Sequence, residues 1–152
     1  MLPARKPTRL PGYDYATQNY YFITVCTHQK SCIFGKPEQL NDNGMCVQAC
    51  INTIEKVFKN IRVDNSVVMP NHIHLILAAG ENAPNINTVI GQLKSAVTKQ
   101  IHKSKPDLQI WQRSFHDHII RNQQSYEKIW NYVQYNALKW KEDCFYPTQE
   151  NE

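Results

Sequence analysis

Two apolar runs, Ile61 to Met69 and His72 to Ala79, are separated only by Pro70-Asn71. Pro-Asn is turn chemistry, and strand-length runs on either side of such a joint predict an antiparallel hairpin. Tyr20 to Thr27, rich in aromatic and β-branched residues, reads as a strand that precedes it. Between them Val47, Ile51, Ile54 and Phe58 recur at helical spacing, predicting one helix within Gly44 to Phe58. Ile86, Val89, Ile90, Leu93, Val97 and Ile101 mark a second amphipathic helix, and Phe115 to Arg121 a fourth strand after a loop containing Pro106. A last helix is predicted from Gln123 to Lys141. The order β-α-β-β-α-β plus a helix predicts an α+β fold: a ferredoxin-like antiparallel sheet with helices on one face and an added C-terminal helix.

At 152 residues the chain is long enough for one domain. Residues 1–19 carry three of the eight prolines and no period, and read as an arm; 20–145 form the domain and 146–152 a tail. With 41% apolar and 20% charged residues, wholesale disorder is excluded. No apolar run approaches the ~20 residues of a membrane helix, so no membrane partner is expected. Five cysteines without a C-x-x-C pair argue against a disulfide framework or zinc ribbon and fit a reducing cytoplasm.

Chemistry concentrates at two places. In His72-Ile73-His74 the strand period turns both imidazoles to one face and Ile73, Leu75 and Leu77 to the other. Two imidazoles at that spacing can share a metal ion without saturating it, leaving positions for a third side chain and for phosphate oxygens. The alternative is a pair of polar residues on a solvated face. His116-Asp117-His118 offers a rival pair with a charged residue between.

On the last helix, at about 100° per residue, Tyr126, Ile129, Trp130, Val133, Ala137 and Trp140 form the core-facing stripe. Tyr132 lies about 100° from its centre, with Asn136 one turn on at its edge and Ser125 and Lys139 on the same side. A phenol of pKa ≈ 10 is only about one part in a thousand ionised at neutral pH, a handicap near 4 kcal/mol. A tyrosine nucleophile therefore needs a base, a cation or a metal-bound phosphate, and the histidine pair could supply the last.

These segments resemble the HUH-type single-tyrosine transposases, specifically the REP-associated tyrosine transposases and their small insertion-sequence relatives. The resemblance runs through RLPGYDY (9–15), YYFITV (20–25), VVMPNHIHLIL (67–77), IGQLKSAVTK (90–99), WQRSFHDHIIRN (111–122) and YVQYNA (132–137). It implies metal-dependent nicking and rejoining of single-stranded DNA at hairpin-flanked sites. His72 and His74 would hold Mg²⁺ or Mn²⁺, Asn136 would be the third ligand, and Tyr132 would attack the phosphodiester to leave a 5′-phosphotyrosine. Relatives include monomers and helix-exchanged homodimers, so both states stay open. Where the family often reads Asn-Pro, this chain has Asn136-Ala137, so its helix is expected to continue further; His116 stands where an aromatic is common.

From Ile86 to Arg121 six Lys and Arg face two Asp, which places the chain's whole +4 excess there. Lys94, Lys99, Arg113 and Arg121, with Lys139, are the candidate DNA contacts, and Trp111 with either Tyr13 or Tyr15 the candidate base-stacking rings. Two other functions fit parts of the pattern. A non-catalytic hairpin-binding module would keep the fold without the chemistry. A small metal-dependent hydrolase would use the histidine pair, with His116 or His118, to activate water.

Overall fold

A computed structural model of the chain describes residues 19–143 and 145–147; the arm up to residue 18, with Tyr13 and Tyr15, and most of the tail lie outside the described residues. Strands β1 (Asn19–Cys26), β4 (Ile61–Met69), β5 (His72–Ala79) and β6 (His116–Ile120) form one sheet, and β2 (Gly35–Lys36) pairs with β3 (Gln39–Leu40) in a small hairpin. The sheet order is β4-β5-β1-β6, every neighbour antiparallel. This is the ferredoxin-like order expected from the alternation of elements. Helices α1 (Asp42–Asn52), α2 (Ile54–Val57) and α3 (Ile86–Ile101) precede or follow the central hairpin, and α4 (Gln123–Gln134) comes last. Asn41, Asn85 and Asn122 each accept a first-turn N–H, capping α1, α3 and α4.

Alternation along the strands divides the interior into two layers. Ile23, Val25, Ile73, Leu75 and Leu77 meet Val47 and Ile51 of α1 and Val89, Leu93 and Val97 of α3. Tyr20, Ile76, Ala78 and Ile120 point the other way and meet Tyr126, Trp130 and Val133 of α4. All eight residues of β5 are buried, because helices cover it on both faces. Trp111 packs its ring against Phe34, with centroids 5.4 Å apart, at the margin of the first layer.

Strand β4 carries a bulge between Val63 and Asn65. The residue it displaces, Asp64, is buried and accepts hydrogen bonds from the Tyr126 phenol (2.6 Å) and Arg62 Nε (2.7 Å). A bulge re-aims one side chain out of alternation, and here it fastens α4 to the sheet edge. Tyr126→Phe is therefore expected to lower stability by about 1–3 kcal/mol, read as a reduced urea midpoint with unchanged m-value. A shift below about 0.5 kcal/mol would show that apolar packing alone seats the helix.

Two boundaries differ from the sequence reading. The single helix expected across Gly44 to Phe58 breaks at Thr53, whose hydroxyl and N–H both turn back to the Cys50 carbonyl (2.8 and 3.1 Å). A β-branched hydroxyl competing for a main-chain carbonyl interrupts the ladder there. The terminal helix ends at Gln134, not Lys141. Tyr135 leaves helical geometry (φ −106°, ψ 12°), Asn136 N–H bonds back only three residues to Val133, and a short 3₁₀ turn spans Trp140–Glu142. The expectation that a missing proline would let the helix continue is thus wrong. Asn136 is drawn inward to 3% exposure, and that burial outweighs the local propensity of Ala137 and Leu138.

Candidate active site

His72 and His74 share the α4 face of β5, as the strand period requires, with ring centroids 4.6 Å apart. They are 0% and 1% exposed, so the solvated-face alternative does not hold. Each Nδ1 is engaged: His72 with Asn71 Oδ1 at 2.8 Å, His74 with Thr24 Oγ1 at 2.9 Å. Asn71 presents its oxygen because its amide nitrogen donates to the carbonyls of Phe145 (2.8 Å) and Lys30 (3.3 Å). That arrangement puts the His72 proton on Nδ1 and leaves a lone pair on Nε2. Both Nε2 atoms are buried without a hydrogen-bond partner.

Burial pushes the His72 imidazole down to about 4, against the opposing pull of the Asp143 charge and the Asn136 amide. His74 falls to about 3, through burial first and then the neighbouring His72. Two buried neutral imidazoles, each with an Nε2 that no hydrogen bond engages, suit metal ligation.

Asn136 supplies the third such atom. Its Oδ1 is buried without a hydrogen-bond partner. Its Nδ2 donates to Asp143 Oδ2 at 2.7 Å. Tyr132 donates to the same oxygen at 3.1 Å. The Tyr132 ring packs edge-on against His74 (5.3 Å) and Phe22 (6.2 Å) and is 41% exposed. The four residues singled out from sequence therefore meet at one place.

Asp143 was not anticipated. One of its carboxylate oxygens and one ring nitrogen each of His72 and His74 lie within 4.8 Å of one another, and no other trio of His, Cys, Asp and Glu among the described residues does this. Burial alone would raise its carboxyl, but the Phe145 N–H, the Asn136 amide, His72 and the Tyr132 phenol together hold it below its ordinary value. It follows the end of a helix in a segment without period, so nothing in the sequence marked it.

The set of donors fits a divalent ion: two imidazole nitrogens, an amide oxygen and a nearby carboxylate, all polar atoms in an otherwise apolar layer. His116 and His118 are exposed on edge strand β6 and join no such group among the described residues.

Beside Tyr132 opens a cavity of about 350 Å³, between Lys128 and Lys139 and bordered by Tyr135, Asn136 and Asp143. Of the candidate cations, Lys139 alone borders it. Arg113 and Arg121 are exposed on either side of β6, and Lys99 is exposed on α3, across the sheet. The Lys94 ammonium is directed to the carbonyls of Gln112 (2.8 Å), Arg113 (3.3 Å) and Ser114 (3.4 Å), so it staples the loop before β6 to α3.

Comparison with known proteins identifies the family. Residues 15–136 match the family model described as "Transposase IS200 like". An uncharacterised protein of Haemophilus influenzae is 34% identical, over 93% of each chain. A provisionally named REP-associated tyrosine transposase of the same organism is 32% identical over 47% of each. The solved structure of a REP-associated tyrosine transposase bound to a REP hairpin superposes with a TM-score of 0.66 at 20% identity, covering 92% of this chain and 74% of that one. A provisionally assigned transposase from Deinococcus radiodurans gives 0.57 at 18% identity, with 90% and 98% covered. The chain belongs to the IS200-like transposase family.

Proposed function

We propose that the protein nicks and rejoins single-stranded DNA at hairpin-flanked sites, with Tyr132 as nucleophile and His72, His74 and Asn136 holding Mg²⁺ or Mn²⁺. One observation carries the reading: three buried polar side-chain atoms without hydrogen-bond partners, the Nε2 of His72 and of His74 and the Oδ1 of Asn136, stand beside an accessible phenol. A buried polar atom left unsatisfied costs about 1–3 kcal/mol, and three at one point make sense as a site built for an ion. A divalent ion there would neutralise charge on the phosphate oxygens.

The chain's own groups supply the rest. Tyr132 Oη forms the new bond to phosphorus while the bond from phosphorus to the 3′ oxygen breaks. The products are a 5′-phosphotyrosine and a DNA 3′-hydroxyl, the latter having taken up a proton. Asp143 Oδ2, already accepting the phenol's hydrogen bond, is the nearest acceptor for the proton Tyr132 releases. Rejoining reverses these steps, with a 3′-hydroxyl attacking the phosphotyrosine. Lys128 and Lys139 border the cavity and would hold phosphates flanking the scissile one. Arg113, Arg121 and Lys99 would meet the hairpin backbone, and Lys94 would act there through the loop it holds. The hairpin complex of the superposable structure supports this class of partner.

The test is to incubate the protein with labelled single-stranded oligonucleotides carrying a hairpin, in Mn²⁺. A covalent adduct should form, map to the peptide containing Tyr132, and disappear with a chelator. Cleavage without attachment to protein would instead favour water as nucleophile and overturn the reading.

A further inference from the structure

We propose that Asp143 is a positioning residue whose carboxylate aims the Asn136 amide oxygen into the histidine pair and holds the Tyr132 phenol to the same centre. The inference rests on the functional reading above. Its basis is one oxygen atom: Asp143 Oδ2 accepts both from Asn136 Nδ2 (2.7 Å) and from Tyr132 Oη (3.1 Å).

A primary amide has two faces of opposite polarity, and rotation by 180° exchanges them. An Asn bordering a metal site could present either its oxygen, which ligates, or its NH₂, which repels a cation. Asp143 resolves this choice, because only the NH₂ can donate to a carboxylate. With Nδ2 committed there, Oδ1 is the atom left for the histidines, and it is the atom found buried without a hydrogen-bond partner. Charge-assisted bonds of this length are the strong ones. Asn136 lies beyond the last turn of α4, so the helix ladder does not orient it.

Asp143 is held in its turn. Its Oδ1 accepts the Phe145 N–H at 2.8 Å, and the Phe145 carbonyl accepts from Asn71 Nδ2 at 2.8 Å. Asn71 is also the residue that fixes the His72 ring. A chain of hydrogen bonds thus runs from His72 through Asn71, Phe145 and Asp143 to Asn136. Metal ligands depend on such outer partners, and losing one lowers metal affinity by about 10–100-fold.

The test is Mn²⁺ affinity measured on the whole chain without DNA, in wild type, Asp143→Ser, Asn136→Ala and the double variant. Serine can still accept the Phe145 N–H and keep the local turn, yet it is too short to reach Asn136. Asp143→Ser is expected to bind Mn²⁺ about 10–100-fold more weakly, with Tm near that of wild type. The double variant should bind no more weakly than Asn136→Ala, since the effect travels through that amide. Asp143→Ala run through the same cycle gives the same decision should the serine variant fold poorly. Wild-type affinity in Asp143→Ser would overturn the inference. So would losses that multiply in the double variant, which would make Asp143 a ligand or a plain charge. A wild-type chain that takes up no Mn²⁺ would remove the metal reading itself, and this inference with it.

Discussion

Tyr132→Phe is expected to reduce covalent DNA attachment by about 10⁴–10⁶-fold, while Mn²⁺ affinity and Tm stay close to wild type. The substitution removes one oxygen from a side chain that is 41% exposed. The ring contacts with Phe22 and His74 do not involve that oxygen and persist in Phe. The hydrogen bond to Asp143 is at the surface, so its loss should cost no more than about 1 kcal/mol of stability. Against that small structural cost stands the whole chemical contribution of the nucleophile, about 5–8 kcal/mol of barrier by the rate arithmetic. The separation is the informative part. A variant that loses the adduct together with its fold would say nothing about chemistry, whereas one that binds metal, melts normally and forms no adduct isolates the phenol. Labelled oligonucleotide on a denaturing gel reads the adduct, and thermal unfolding monitors the fold. Adduct at wild-type yield would pass the role to another side chain, with Tyr135 on the same cavity wall the first to examine.

What the sequence could convey follows from how each feature is encoded. Strand alternation depends only on neighbours in the chain, so the shared face of His72 and His74 and the opposite facing of Leu75 and Leu77 were legible. The α4 stripe was legible as far as Val133, where helical period still applies. Beyond Gln134 the conformation is dictated by partners distant in sequence: Asn136 turns toward β5, and Asp143 reaches back across seven residues to meet it. Local propensity favours continuing the helix through Ala137 and Leu138, and it loses to that tertiary arrangement. Asp64 was hidden for a related reason. In a regular strand its alternation would be unremarkable, and only the bulge delivers its carboxylate to Tyr126. The charge count from Ile86 to Arg121 was correct as a sum but silent on direction. Lys94 turned out to hold a loop, and Lys99 lies on the layer away from the tyrosine.

Acid should unfold the metal-free chain earlier than an ordinary core of this size would suggest, and the histidine pair is the cause. In the unfolded chain both imidazoles titrate near 6.5; in the fold, burial lowers them to about 4 for His72 and about 3 for His74. Above pH 6.5 both states are neutral at these positions and the pair leaves stability unchanged with pH. As pH falls below 6.5 the unfolded state takes up protons that the folded state refuses, so stability declines. Each histidine contributes up to about 1.4 kcal/mol per pH unit, so the pair contributes up to about 2.7. The decline levels off for His72 near pH 4 and for His74 near pH 3, where the folded state also protonates. The total is several kcal/mol, comparable to the whole stability of many domains. Urea titrations at pH 7, 6, 5 and 4.5 should therefore show a falling midpoint, and the double substitution His72→Gln with His74→Gln should flatten that limb. The same shifts give a second readout. Because protons do not compete for the folded imidazoles until about pH 4, Mn²⁺ affinity should stay level from pH 7.5 to 5, where an exposed pair would lose it through 6.5. A midpoint that does not move between pH 7 and 4.5, or an affinity that falls away near pH 6.5, would mean that solvent reaches these imidazoles and that the buried, neutral pair on which the metal site depends does not exist.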